Sequence, residues 1–295
     1  MQTRFLDPKV LATIADLQLT AKTVVDGFIA GLHRSPDFGF SQEFAEYRSY
    51  TVGDDLRYVD WNVFARTERA YLKRYRGETN TRVTILLDRS GSMGFARGGV
   101  RKIDYARIAA ASVAYLAHLQ RDAIGAITFD DEVRDYVRPS SRQGQLPRVL
   151  HALDRAEPGA RTDFARPFLH FQQFHRWRGI AVVLSDFYAP PETVVKTIVP
   201  LRHRGTDVML FHVLDPEELN PRLEGPKLLI DLETRESIEV SPDYAAGEYA
   251  RRIAAHCDAL KKEAEAAGLS YMLLDTSRPL DAALREYLSI RQGRL

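Results

Sequence analysis

The 295-residue sequence contains one cysteine, and its formal net charge is only +1, from 41 Lys and Arg residues against 40 Asp and Glu residues. A single cysteine excludes an intramolecular disulfide and is typical of a reducing compartment. No stretch approaches the roughly 18 consecutive apolar residues that a membrane span needs. The N-terminal sequence MQTRFLDPKV also lacks the apolar segment of a signal peptide. We therefore expect a cytoplasmic protein with no membrane span, and the balanced charge indicates no class of partner.

The clearest local pattern is a short apolar strand followed by regularly spaced oxygen donors. Residues 83–93 read VTILLDRSGSM, and their apolar run is typical of a central parallel strand that is covered on both faces. Asp88, Ser90 and Ser92 occupy alternate positions at its end, and open α/β sheets bind ligands at that edge. One carboxylate and two hydroxyls suit a hard cation such as Mg²⁺. The same residue types are common in turns, so the interpretation depends on the rest of the chain.

From Arg82 onward, strand patterns alternate with helix patterns. We therefore predict an α/β fold over residues 81–295, with a doubly wound, mostly parallel sheet flanked by helices. A hairpin is expected near residues 227–240, where two alternating segments flank a polar turn. A long helix is expected from Tyr244 to Ala267, and Gly268 is expected to terminate it. The further predicted strands are 123–129, 133–137 at an edge, 180–184, 208–213 and 271–274.

Residues 1–80 are expected to form a helix and an extended segment that pack on this sheet domain. Asp7-Pro8 is typical of a helix start, and apolar spacings of three and four up to Leu32 predict an amphipathic helix of about six turns. Residues 47–76, here called the aromatic–Arg segment, interleave aromatic residues with arginines and three aspartates. This composition fits an internal network in which the aspartates pair with Arg57 or Arg66. It also fits nucleic-acid binding by base stacking, which we favour less because carboxylates repel phosphate.

Two further oxygen donors follow later elements. Asp186 comes directly after the strand pattern IAVVLS, so Asp88 and Asp186 are expected at the carboxyl ends of two strands, on one edge of one sheet. Thr162 precedes a predicted helix, where the ordinary role of a threonine is to cap the helix. With Ser90 and Ser92, these residues would offer Mg²⁺ two carboxylates and three hydroxyls and leave room for water or an outside ligand.

The set Asp88, Ser90, Ser92, Thr162 and Asp186 resembles the metal-ion-dependent adhesion site of von Willebrand factor A domains. That site uses Asp-x-Ser-x-Ser, then a threonine, then a second aspartate. The resemblance implies a von Willebrand factor A-like fold and a bound Mg²⁺, with Mn²⁺ or Ca²⁺ as alternatives. It also implies recognition of a partner protein that offers a carboxylate to the metal.

Part of the aromatic–Arg segment resembles the bacterial family known as domain of unknown function 58. The matching sequences are RSYTVGDDLR at 48–57, VDW at 59–61 and ART at 65–67. In that family such a segment precedes a von Willebrand factor A-like domain. The resemblance implies a partnership with MoxR-type AAA+ ATPases.

Several common enzyme motifs are missing from the sequence. There is no Gly-x₄-Gly-Lys-Ser/Thr loop and no Gly-x-Gly-x-x-Gly loop, and Ser92 is preceded by Ser90 where a hydrolase elbow needs glycine. The strand ending at Asp88 resembles the start of haloacid-dehalogenase phosphotransferases, but Ser90 replaces their second aspartate, the general acid. We therefore expect a non-enzymatic, Mg²⁺-dependent interaction module. The alternatives are a metal-dependent phosphohydrolase and a nucleic-acid binder that uses residues 47–76.

Overall fold

The structure is a computed structural model, and it describes residues 7–32, 44–50, 59–67, 69–75, 81–97, 99–159, 166–169, 178–203, 205–223, 225–230 and 237–292. Its centre is a six-stranded sheet. The strands of this sheet are β3 (Arg82–Asp88), β4 (Ala123–Phe129), β5 (Val133–Ser140), β6 (Gly179–Ser185), β7 (Thr206–Leu214) and β10 (Ser270–Asp275).

The order of the strands across the sheet is β10-β7-β6-β3-β4-β5. Strand β3 lies near the centre and pairs in parallel with β4 and with β6, while β5 runs antiparallel to β4 at one edge. Every residue of β3 after Arg82 is buried, as expected for a strand covered on both faces. The predicted α/β class with a doubly wound, mostly parallel sheet is confirmed, and so is the edge position of the strand that begins at Val133.

Helices cover both faces of the sheet. Val83, Ile85 and Leu87 belong to the larger apolar core, whereas the intervening Leu86 belongs to a second core on the opposite face, because successive side chains of a strand point to opposite faces. The larger core is covered by α2 (Leu17–Leu32), α4 (Lys102–Leu119), α5 (Gln145–Asp154) and α9 (Asp281–Gln292). The second core is covered by α6 (Pro191–His203) and α8 (Ala250–Ala266).

The N-terminal helix is interrupted, which corrects the prediction of one continuous helix. A short α1 (Pro8–Leu11) is capped by the Asp7 side chain, and α2 begins six residues later. The carboxylate of Asp16 accepts hydrogen bonds from the backbone N–H groups of Gln18 and Leu19. These are the first-turn donors of a new helix, which an N-terminal capping residue satisfies. The helical spacing of the apolar residues continues across the break, so it did not reveal the break.

The described part of the aromatic–Arg segment forms a small sheet and a short helix. β1 (Phe44–Ser49) pairs antiparallel with β2 (Tyr71–Tyr75) in a two-stranded sheet of its own. Strand β2 therefore pairs with β1 and does not join the six-stranded sheet. Between them, α3 (Trp61–Thr67) begins after the buried Asp60, whose carboxylate accepts from the backbone N–H of Val63. Arg57 lies outside the described residues, and the proposed pairing of Asp60 with Arg66 stays a prediction.

The C-terminal part of the chain contains the predicted hairpin. β8 (Lys227–Ile230) and β9 (Ser237–Val240) pair antiparallel. A short helix, α7 (Pro216–Leu219), follows β7 and was not predicted. Helix α8 ends just before Gly268, whose φ of +70° is the left-handed conformation that favours glycine at a helix end. Within the described residues, no helix has both the length and the apolar character needed to cross a membrane.

Candidate metal site

Two buried aspartates meet at the carboxyl edge of the central sheet. Strands β3 and β6 run in parallel, with Leu87 opposite Leu184. Asp88 therefore ends β3 beside Ser185, and Asp186 follows directly after β6. Both aspartates are buried. The prediction that they share one edge of one sheet is confirmed by this geometry.

The hydroxyls of Ser90 and Ser92 lie together in the loop after Asp88. The Oδ1 atom of Asp88 accepts a hydrogen bond from the backbone N–H of Ser90 at 2.8 Å, which turns the chain sharply after the strand. A 3₁₀ turn over Gly91–Gly94 then brings the Oγ atoms of Ser90 and Ser92 to 3.0 Å from each other. Four of the five predicted ligands are thus on one sheet edge, two of them in hydroxyl contact.

The fifth predicted ligand, Thr162, lies outside the described residues. The chain leading to it is described as far as Gly159, and it is held against the Asp88–Ser92 loop. The backbone N–H of Gly159 donates to the carbonyl oxygen of Arg89 at 2.6 Å. The guanidinium of Arg107 donates from Nε to the carbonyl oxygen of Ala156 at 3.1 Å. Gly159 precedes Thr162 by three residues, a span of at most roughly 11 Å in an extended chain.

Ser185 is a supporting residue that the sequence motif does not include. Its Oγ donates to Oδ2 of Asp88 at 2.6 Å and accepts from the backbone N–H of Phe187 at 3.0 Å. Phe187 has a φ of +45°, unusual for a bulky residue, and its carbonyl oxygen accepts from Nε2 of His256 at 2.9 Å. These bonds hold the backbone on either side of Asp186. The only sign of this supporting role in the sequence was the position of Ser185 at the end of a predicted strand.

Lys102 was not predicted from the sequence either. It is a buried basic residue that contacts Asp186. It is the first residue of α4, and its side chain is 0% exposed. Its Nζ lies 2.8 Å from Oδ2 of Asp186 and 2.7 Å from Oε1 of Glu218. The same ammonium lies 4.8 Å from the centre of the Tyr188 ring, within reach of a cation–π interaction.

Glu218 belongs to a capping box that fixes it beside Lys102. Its Oε2 accepts from the backbone N–H of Asp215 at 2.9 Å, and Asp215 in turn caps α7. Lys102 therefore joins three elements around the site: the start of α4, the end of β6 and the short helix α7. A lysine in the first turn of a helix is usually solvated, so this burial could not be predicted from the sequence.

Burial controls the protonation of these groups. Burial, and then the neighbouring charge of Asp186, raise the pKa of Asp88 to about 7. Burial also raises the pKa of Glu218, although Lys102 acts in the other direction. For Lys102, burial favours the neutral form, but Asp186 and Glu218 outweigh it and its pKa is raised. The ammonium therefore stays charged inside the protein.

The residues at this edge fit a hard divalent cation. The chemistry of the donor set consists of carboxylate and hydroxyl oxygens, which Mg²⁺ prefers to nitrogen or sulfur. In the described part of the chain, no cluster of three or more His, Cys, Asp and Glu residues could hold a metal. A metal at this edge would therefore need the serine hydroxyls as well as the two aspartates.

Comparison with known proteins identifies a family model and relatives that match half of the chain or more. A family model described as "Protein of unknown function DUF58" matches residues 46–259. The uncharacterized protein Rv1480 of Mycobacterium tuberculosis is 30% identical over 292 residues, 97% of this chain and 91% of that protein. The uncharacterized protein MAV169 of Mycobacterium avium is 28% identical over 149 residues, 50% of this chain and 86% of that protein.

Two solved structures match this chain at low sequence identity. The conserved hypothetical protein BatB from Bacteroides thetaiotaomicron has a TM-score of 0.49 and 17% identity, and the match covers 72% of this chain and 98% of that chain. A von Willebrand factor type A protein from Catenulispora acidiphila has a TM-score of 0.32 and 14% identity, with 44% of this chain and 32% of that chain covered.

Proposed function

The chain belongs to the DUF58 family of unknown function, and on that premise we propose that it is a non-enzymatic, Mg²⁺-dependent protein-interaction module. The observation that supports this proposal is the meeting of Asp88, Ser90, Ser92 and Asp186 at one buried sheet edge. Asp88, Ser90, Ser92 and Asp186 would hold the ion, with Thr162 as the fifth ligand. Bound Mg²⁺ would supply an open coordination position for a carboxylate of another protein.

The charge of such a site favours an outside carboxylate. Asp88 and Asp186 together offset the two positive charges of Mg²⁺, so a third carboxylate would meet no surplus of negative charge from these ligands. A contact of this kind is small and depends on the metal more than on apolar burial. Following the sequence resemblance described above, we propose that the partner is a MoxR-type AAA+ ATPase.

The phosphohydrolase alternative receives less support from the site. The position that a haloacid-dehalogenase enzyme needs for its general acid is occupied by Ser90, whose hydroxyl is a far weaker acid than a carboxyl group. A phosphatase assay with a generic aryl phosphate should therefore show no Mg²⁺-dependent turnover.

Titration calorimetry with Mg²⁺ tests the metal site. We expect one Mg²⁺ per chain, loss of binding in Asp88→Ala, and weaker binding in Ser90→Ala, because a carboxylate contributes charge and a hydroxyl does not. Asp258→Ala is the matched control, since it removes an exposed carboxylate from α8. Equal Mg²⁺ affinity in wild type and Asp88→Ala would sink the metal proposal.

Surface plasmon resonance with a purified MoxR-type ATPase tests the partner. Binding is expected in Mg²⁺, should disappear in EDTA, and should be absent in Asp186→Ala in both buffers. Restoring Mg²⁺ should restore binding to wild type but not to the variant. Equally tight binding in both buffers would show that the metal edge is not the docking surface.

A further inference from the structure

Lys102 places a permanent positive charge inside the metal site. Its ammonium is fully buried and contacts Oδ2 of Asp186, one of the proposed ligands, at 2.8 Å. The opposite side of the same ammonium contacts Glu218 at 2.7 Å. A buried charge in such contacts is weakly screened, because no water separates it from its neighbours.

We propose that Lys102 acts as a built-in counter-cation that lowers the Mg²⁺ affinity of the free protein. The inference rests on the proposed Mg²⁺ site and adds its regulation. Lys102 competes with the metal for the charge of Asp186 and repels an ion bound between Asp186 and Asp88. The site is therefore tuned to be weak when the protein is alone.

The charges around the site predict whether each substitution raises or lowers the Mg²⁺ affinity. Asp88, Asp186 and Glu218 are three acidic groups, and the ammonium of Lys102 contacts two of them, Asp186 and Glu218. Removing the ammonium makes the surroundings of the metal more negative, whereas neutralising Glu218 makes them more positive. Both changes remove the ion pair between Lys102 and Glu218. If Lys102 and Glu218 only support the structure, both variants should bind Mg²⁺ more weakly. If their charges act on the metal, loss of Lys102 should raise the Mg²⁺ affinity and loss of the Glu218 charge should lower it.

The experiment is a calorimetric Mg²⁺ titration of wild type, Lys102→Met, Glu218→Gln and the double variant. One unit charge at this range is worth on the order of a tenfold or larger change in affinity. We expect Lys102→Met to bind Mg²⁺ about tenfold more tightly than wild type, and Glu218→Gln about tenfold less tightly. The double variant should return to within about threefold of wild type, because its net charge is unchanged. Lys196→Met is the control, since it removes an exposed lysine of α6.

Folding of each variant is checked by thermal melting before titration, because Lys102→Met leaves two buried carboxylates without their partner. If that variant does not fold, Glu218→Gln and the double variant still differ by the lysine alone. The double variant must then bind Mg²⁺ more tightly than Glu218→Gln.

If the Mg²⁺ affinity falls in both single variants, or equals that of wild type, Lys102 does not act as a counter-cation. The metal site itself would not be contradicted by that result. If neither wild type nor any Lys102 variant binds Mg²⁺, both the site and its regulation are wrong. Binding that is seen only after Lys102 is replaced supports the inference directly.

Discussion

Asp88 is a carboxylate whose charge is costly to the folded protein without a cation. Its pKa of about 7 lies above the ordinary value of 3.8, mainly because of burial and also because of Asp186. The folded state therefore binds a proton more tightly than the unfolded state does. The stability that this proton contributes is complete below pH 4 and is lost as the pH rises through 7.

Asp88→Asn should remove that pH dependence. The amide cannot ionise, so without Mg²⁺ the variant should be more stable than wild type above pH 7, by on the order of 2–4 kcal/mol. At pH 4 the two proteins should have nearly equal free energies of unfolding. Urea denaturation at both pH values measures the difference.

Addition of Mg²⁺ at pH 8 should stabilise wild type and leave Asp88→Asn unchanged, since only the wild type has the charge to bind the ion. A stability difference of the same size at pH 4 and pH 8 would show that it does not arise from the charge of Asp88.

The residues that complete this site differ in how far the sequence could predict them. Asp88, Ser90 and Ser92 are adjacent in the chain, and their spacing alone places them in one loop. Asp186 was predictable because a buried strand precedes it. Lys102 and Ser185 could not be predicted, because their roles depend on the approach of separate elements in space. Thr162 stays a prediction.

Among the elements, those with strong periodic patterns were predicted well. The buried strands β3, β4, β6 and β7 have mostly apolar runs, which are typical of a parallel sheet covered on both faces. Elsewhere, local hydrogen bonds determine where helices begin and end, and the apolar pattern does not show them. The Asp16 cap divides the N-terminal helix, and the capping box at Asp215 forms the short α7. β1 was missed because its partner β2 is more than 20 residues away in the chain.

A buried ion pair adds to the apolar packing of α9, the last described helix. Nε of Arg291 lies 2.7 Å from Oδ2 of Asp122, and a second donor of the same guanidinium lies 3.1 Å from Oδ1. Asp122 is fully buried in the turn between α4 and β4 and also accepts from the backbone N–H of Thr81. The pair thus connects the end of the chain to the strand that leads to the candidate site.

Arg291→Ala should reduce the free energy of unfolding by about 3–5 kcal/mol, because it leaves the carboxylate of Asp122 buried without its cation. Arg278→Ala is the control: Arg278 pairs with Asp275 but its side chain is 80% exposed, so its loss should cost no more than about 1 kcal/mol. Chemical denaturation of the two variants checks the comparison. Equal losses would show that burial of the pair does not decide its contribution.

In the molecule as a whole, the N-terminal helices belong to the main core. Leu11 of α1 and Ala21, Val24, Val25 and Phe28 of α2 are buried in the same apolar cluster as the central strand β3. Helix α2 packs on α4, the helix that carries Lys102 at its start. The N-terminal segment therefore lies one helix away from the candidate metal site. The domain boundary at residue 80 stays a prediction. In the structure, α2 packs on the sheet domain through the shared core.

This packing predicts that α2 and the sheet unfold as one cooperative unit. Phe28 is buried in the shared core and Leu19 is exposed on the same helix. Phe28→Ala should cost about 3–5 kcal/mol through lost burial and a residual cavity, whereas Leu19→Ala should cost less than about 0.5 kcal/mol. Native-state hydrogen exchange measures which backbone amides lose protection when Phe28 is replaced. If the unit is cooperative, Phe28→Ala accelerates the slowest-exchanging amides of β3, α4 and α9 by the same free energy. Faster exchange confined to residues 17–32 would instead show that α2 opens independently of the sheet. In that case its contact with α4 could not transmit a change to Lys102.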